Sequence, residues 1–241
     1  MALTMKFLRI SIILAVAAFC SRAALALDLP DVTYPSLPQT ATSIEGFIPK
    51  GWVLEQVAKG DLNSGGVDDI AFVLHEQDTA NIVRDPDGAD DAKLDTNPRI
   101  VGVALGRNDG SGFDLAFANH ELISRRDDPS LDDPFDKGLA IKHGTLQLSL
   151  SVFATAVTNV TVTFRLQEGH FRLIGYDRNE TERGTGDTST LSIDYLTGKS
   201  EQHEGKISDD AEKVTKSRLA PAPLLDIDDV GSVLDFDPDG K

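Results

Sequence analysis

From Gly144 to Gly198 the chain alternates apolar and polar residues with almost no exceptions. In GTLQLSLSVFA, Leu146, Leu148, Leu150 and Val152 fall on one face and Gln147, Ser149 and Ser151 on the other. NVTVTFRLQ repeats the pattern with Val160, Val162, Phe164 and Leu166. EGH then turns the chain into FRLIGYD, and TSTLSIDYLTG closes the set. Successive side chains point to opposite faces only in a strand, so this period of two predicts an antiparallel meander with one solvated face.

Upstream the runs are shorter. WVLEQVA comes first. In DDIAFVLHE, Ile70, Phe72 and Leu74 alternate with Ala71 and Val73, which predicts a strand covered on both faces. RIVGVAL, a turn at GRNDGSG and FDLAFANHEL read as a hairpin. SDDAEKVTKSRL reads as a further strand, because Val214 and Leu219 make no helical stripe. The fold class expected is mainly β, a single domain of antiparallel meander strands over 46–225. Residues 27–45 are Pro-rich and expected as an extended leader. The Asp/Pro-rich loops RDPDGADDAKLDTNP and RRDDPSLDDPFDKG are expected to stay unburied, and residues 226–241 to form an acidic flexible tail.

Residues 1–26 read as a secretory signal. Lys6 and Arg9 give a basic start, ISIILAVAAFC is the apolar run and ALA at 24–26 is the cleavage site. The apolar run is shorter than the roughly 20 residues a membrane span needs. Phe19 ahead of Cys20 argues against lipid attachment at that cysteine. Cys20 is the chain's one cysteine, so processing leaves none and excludes disulfides, thiolate catalysis and cysteine-ligated zinc. Losing Lys6, Arg9 and Arg22, with no acid, takes the formal charge from −16 to −19. Such a surface repels nucleic acid and anionic lipid. A periplasmic or secreted monomer is expected.

The most suggestive motif is GDLNSGGVDD. Calcium takes six to eight oxygen ligands. Asp61 and Asp69 offer carboxylates, Asn63 an amide oxygen and Val67 its carbonyl, in the spacing of a D-x-D-x-D-G-x-x-D cage. Gly65 stands where that cage wants a third acid, so two readings follow: calcium held weakly, or an Asx-stabilised turn in which Asp61 and Asn63 bond backbone amides. FIPKGWVLEQVAKGDLNSGGVDDIAFVL, with the later DPFDKGLAIKHGTLQLSL, VTFRLQEGHFRLIGYD and LSIDYLTGK, resembles secreted bacterial proteins of unknown function labelled VCBS or FG-GAP repeat-like. The resemblance covers roughly residues 46–200. It implies a β fold and, as in FG-GAP propellers where the loop recurs in every blade, a structural calcium. Here no second good copy follows, so a full propeller is not expected.

Other candidates are weaker. DPDGADD places Asp85, Asp87, Gly88 and Asp91 at partial cage positions, and DFDPDG does so with Asp235, Asp237 and Asp239; both read as solvated acidic loops. His75, His120, His143, His170 and His203 are well separated, with no zinc-type spacing, and His143 and His170 belong at hairpin ends. Ser111 lacks the G-x-S-x-G context of a nucleophile and reads as a hairpin tip. Trp52, Phe72, Phe164 and Phe171 read as core. Asn159 and Asn179 sit in glycosylation-type triplets.

The function these residues point to is a non-enzymatic exported module that binds a protein or glycan partner through its acidic loops. The alternative is a carboxylate-dependent hydrolase of an extracellular polymer, which needs two acids in one cleft. A carrier of a small apolar ligand would instead need an inward-facing cavity.

Overall fold

The computed structural model describes residue 27, residues 29–86, residue 88 and residues 91–239. The signal sequence, Asp87 of the first acidic echo and Gly240 of the second lie outside the described residues. Among the described residues fourteen strands form two main antiparallel sheets and a small ribbon. The first sheet has the order β1 (Thr40–Ala41), β7 (Phe113–Asn119), β6 (Arg99–Gly106), β3 (Asp69–Glu76) and β2 (Trp52–Gly60). The ribbon pairs β4 (Ile82–Arg84) with β5 (Lys93–Asp95).

The second sheet follows chain order throughout. It runs β8 (Leu139–Lys142), β9 (Thr145–Phe153), β10 (Ala156–Gln167), β11 (His170–Glu182), β12 (Asp187–Asp194), β13 (Lys199–Lys206) and β14 (Asp209–Arg218). This is the meander that the alternation predicts, and SDDAEKVTKSRL is a strand. Neither sheet closes into a barrel, and the chain is one all-β domain, not a propeller.

One core lies between the sheets. Ala71, Val73, Val101 and Val103 of the first sheet cluster with Leu146, Leu148, Leu150, Val160, Val162, Phe164, Leu173 and Ile193 of the second. The opposite face of the first sheet has its own core, Ile70, Phe72, Leu74 and Ile100, closed by Leu37, Phe47 and Trp52. β3 is therefore covered on both sides, as its unbroken apolar run requires. Phe72 lies across the facing strand at Gly102, where a Cβ would come within 2.3 Å of its ring. Gln56 fastens the two sheets at their edges. Its side-chain amide donates to the carbonyls of Lys137 (2.9 Å) and Leu139 (2.8 Å) and accepts from Leu139 N–H (3.0 Å), as a strand neighbour would.

Four expectations from the sequence need correction. The leader contributes Leu37, β1 and Phe47 to the second core, so the ordered unit begins before residue 46. The tail packs instead of fraying: Ile227, Val230 and Val233 are at most 6% exposed and join the main core. Their spacing of three is masked in sequence by the polar residues and glycine between them, Asp228, Asp229, Gly231 and Ser232. RDPDGADDAKLDTNP buries Leu94 and Thr96, and RRDDPSLDDPFDKG buries Phe135. Leu94 and Phe135 reach the protein, while Asp91, Asp95, Asp132 and Asp136 stay exposed.

Candidate functional site

At one end of the sandwich, turns from both sheets come together. The β2–β3 loop, residues 61–68, stands between two depressions. Asn63 and Gly65 share the first, of about 730 Å³, with Arg107, Asn108, Asp109 and Asp114 of the β6–β7 hairpin. Leu62, Asn63 and Ser64 share the second, of about 420 Å³, with His143, Arg165 and Glu168. His143 and Glu168 come from two-residue hairpin turns, His143–Gly144 linking Lys142 to Thr145 and Glu168–Gly169 linking Gln167 to His170, while Arg165 stands on β10. Both residues of each turn have positive φ (51° and 72°, 52° and 82°). That is the turn whose twist matches the flanking strands, so these side chains stand on rigid supports.

The loop itself is tied by its own polar side chains. The Asp61 carboxylate accepts the N–H groups of Gly65 (3.1 Å) and Gly66 (2.9 Å), and Asn63 Oδ1 also accepts Gly65 N–H (2.6 Å). These amides, Gly66 first, hold Asp61 below the usual carboxylate range. Ser64 (φ 61°) and Gly66 (φ 75°) make the left-handed bend. Asp69 is different. Its side chain is fully buried, accepting Leu62 N–H (2.8 Å) and Gly106 N–H (2.8 Å), with Asn63 Nδ2 at 3.5 Å. Val67 packs on the same strand end, its Cγ1 3.0 Å from where a Cβ on Gly106 would sit.

The structure thus joins Asp61, Asn63 and Asp69 through the loop's amides in the Asx-turn arrangement. Asp69 Oδ1 already faces two donors, while Asp69 Oδ2 and each Asp61 oxygen keep a second lone pair. The donor set, all hard oxygen, therefore suits calcium in kind and falls short in number. Among the described residues no three His, Cys, Asp or Glu side chains converge as a metal-binding group.

The neighbouring hairpin carries its own charges. Arg107 Nη2 donates to Asp114 (2.5 Å), an ion pair that lowers the pKa of Asp114 and raises that of Arg107. Ser111, at the hairpin tip as expected, holds Asp109 low through its hydroxyl and its N–H (2.9 Å).

The remaining candidates are dispersed. His75 stands 3.8 Å from Glu55, His120 stacks on Tyr34 with ring centroids 4.0 Å apart, His170 meets Asp226 at 2.9 Å and His203 meets Glu212 at 3.0 Å. Asp85 accepts Gly88 N–H (2.9 Å) and Asp237 accepts Asp239 N–H (3.1 Å), the local loops expected. Asp91 has φ 69° in the same acidic loop, and Asp235 lines a separate groove with Phe236 and Pro238. Trp52, Phe72, Phe164 and Phe171 are all core. Asn159 and Asn179 are exposed on the outer sheet face.

Sequence reasoning missed Arg99. It is 6% exposed, bonded to both carboxylate oxygens of Glu55 (2.7 and 2.9 Å) and to Asp133 (2.7 Å), and set over the Phe135 ring. A register shift between Leu54 and Gln56 inserts Glu55 as a bulge residue, which aims it at the arginine. The signal available was a lone cation opening the apolar run RIVGVAL. Its work is architectural, tying β2, β6 and the 124–138 loop together.

Comparison with known protein families, with curated proteins and with solved structures finds no match to this chain. No helix among the described residues is long and apolar enough to cross a membrane.

Proposed function

We propose that this chain is an exported, non-enzymatic β-rich binding module that engages a protein or glycan partner through the loop-bearing end of its sandwich. At the centre of that end is a degenerate FG-GAP-type calcium loop. One observation carries the reading: turns from both sheets converge around residues 61–68 and present Asn63, Arg107, Asn108, His143, Arg165 and Glu168 along two open depressions. Recognition residues placed on short turns of a rigid scaffold are the common arrangement in β-sandwich binders. The secretory signal and the strongly acidic surface agree with work outside the cytoplasm.

Calcium at Asp61, Asn63, Val67 and Asp69 is weak in this reading. Extracellular modules of this kind bind at about 10⁻⁴ to 10⁻³ M with a full ligand set, and Gly65 withholds one carboxylate. Nothing observed favours the hydrolase alternative. The acids in the larger depression, Asp109 and Asp114, are both held ionised, and an acid so held is a poor proton donor.

Photo-cross-linking in the native exported fraction tests the proposal. A photoreactive residue at Asn108 should capture a discrete protein or glycan adduct, and one at Ser192, on the outer sheet face, should not. Adducts at Ser192 alone, or at neither position, would sink it.

A further inference from the structure

Among the described residues β14 is an edge strand with no strand beyond it. Its hydrogen-bonded neighbour is β13 alone, and its described side chains are exposed on both faces. A flat edge this long is a template for another strand, and proteins generally blunt such edges. Here the charge pattern does something more specific. Along the strand the acids (Asp209, Asp210, Glu212) all precede the cations (Lys213, Lys216, Arg218). A strand divided in this way is complementary to itself when turned antiparallel.

We propose that β14 is a self-association edge, pairing antiparallel with β14 of a second copy of this chain in a register centred on Val214. Geometry limits the possible registers, and charge selects among them. Leu219 N–H bonds to Gly198 C=O (2.9 Å) beside the Lys199–Arg218 pair, which sets the phase of the ladder. Alternation then turns the N–H and C=O of Glu212, Val214, Lys216 and Arg218 outward to the free edge. Two-fold symmetry across a continuous sheet lets a residue face only residues of its own side. Centring on Glu212, Lys213 or Lys216 sets like charges face to face. Centring on Thr215 shortens the paired stretch. Centring on Val214 sets Glu212 opposite Lys216 of the second copy twice over.

The pairing also extends rows already present. Lys216 donates to Glu201 (2.9 Å) and Glu212 meets His203 (3.0 Å) across β13–β14. A second copy continues one row as Glu201, Lys216, then acid again, with charges alternating. The half-exposed Val214 (45%) gains an apolar partner at the centre. One edge strand is a small interface, so the association is weak and depends on concentration. This departs from the monomer expected from the sequence, where an edge strand cannot be told from a central one.

Sedimentation velocity of the exported protein, from about 10 μM to about 1 mM, tests the proposal. The average mass should climb towards that of a dimer. Glu212→Lys and Lys216→Glu should each stay monomeric over the same range, because each sets like charges together. An equimolar mixture of the two variants should recover the dimer, since each then meets its complement. Wild type that remains monomeric at about 1 mM overturns the proposal. So does a dimer that either single reversal leaves intact, or a mixture of folded variants that stays monomeric.

Discussion

The carboxylate of Asp69 and the backbone amide of Gly106 meet at 2.8 Å, 37 residues apart in sequence. With its other oxygen Asp69 accepts Leu62 N–H, so a single buried side chain ties the β2–β3 loop to the end of β6. The residue that closes a calcium cage by its spacing therefore also holds the candidate site in shape.

Replacing Asp69 with alanine leaves two sheltered N–H groups without partners. The expected loss is about 2–4 kcal/mol, and Asp69→Asn, which keeps one acceptor oxygen, should lose roughly 1–2 kcal/mol. Urea denaturation measures both. An alanine variant as stable as wild type would show that the amides find other partners.

All three tyrosines are pushed above the ordinary phenol pKa, chiefly by burial: Tyr34, Tyr176 and Tyr195, the last aided by its neighbours Tyr176, Asp239 and Asp237. Folding favours the neutral phenol, so this stability is fully present below pH about 10 and is lost as pH rises through the folded pKa values. Alkaline titration followed by ultraviolet absorbance should show no phenolate step near pH 10 while the fold persists, then ionisation together with unfolding. A separate early step with intact dichroism would contradict the burial of at least one ring.

The packed tail gives a third expectation. Val233 is fully buried, and its N–H donates to Leu122 C=O at 3.1 Å. Val233→Asp should therefore cost on the order of 3 kcal/mol or more, and early proteolytic cuts should spare residues 226–233. A tail released by brief protease treatment, with no change in the stability of the remainder, would show that its packing is incidental.

In the second sheet β9 to β12 were legible because one face is wet and the period of two is nearly unbroken, whereas β8 is too short and β13 carries too few apolar residues to show it. β3 was legible for the opposite reason, since only a doubly covered strand tolerates five apolar residues in a row. What stayed hidden were contacts whose partners are remote in sequence. Glu55 gives no sign of its bulge, and Arg99 none of the carboxylates that make its burial tolerable. Ile227, Val230 and Val233 are diluted by Asp226, Asp228 and Asp229, and the first two of these aspartates find partners remote in sequence. The loop at Asp61 was visible as a motif, but the turns that surround it come from three separate hairpins, and only the fold brings them to one end.

Restoring the missing ligand should be possible without breaking the loop. Gly65 is not among the residues with positive φ, and a Cβ there would meet side chains alone, Asn63 Oδ1 at 2.5 Å and Asn108 Oδ1 at 3.7 Å, so Asn63 must shift and loosen its bond to Gly65 N–H. Gly65→Asp should fold normally and bind calcium more tightly than wild type, seen as a larger calcium-dependent rise in Tm. An unchanged or smaller rise would mean that the loop cannot close around an ion.

The most direct measurement is a calcium titration of the wild-type protein, followed through its backbone amide resonances with magnesium as the control. The account predicts calcium-specific shifts confined to residues 61–69, with a midpoint near about 1 mM. At 10 mM calcium the fold should gain roughly 1.4 kcal/mol, raising Tm by about 2–4 °C. Magnesium should do much less, because it demands a regular octahedron and keeps its water. No calcium-specific shift in residues 61–69 at 10 mM, or shifts only elsewhere in the chain, would contradict it and leave the loop a turn alone.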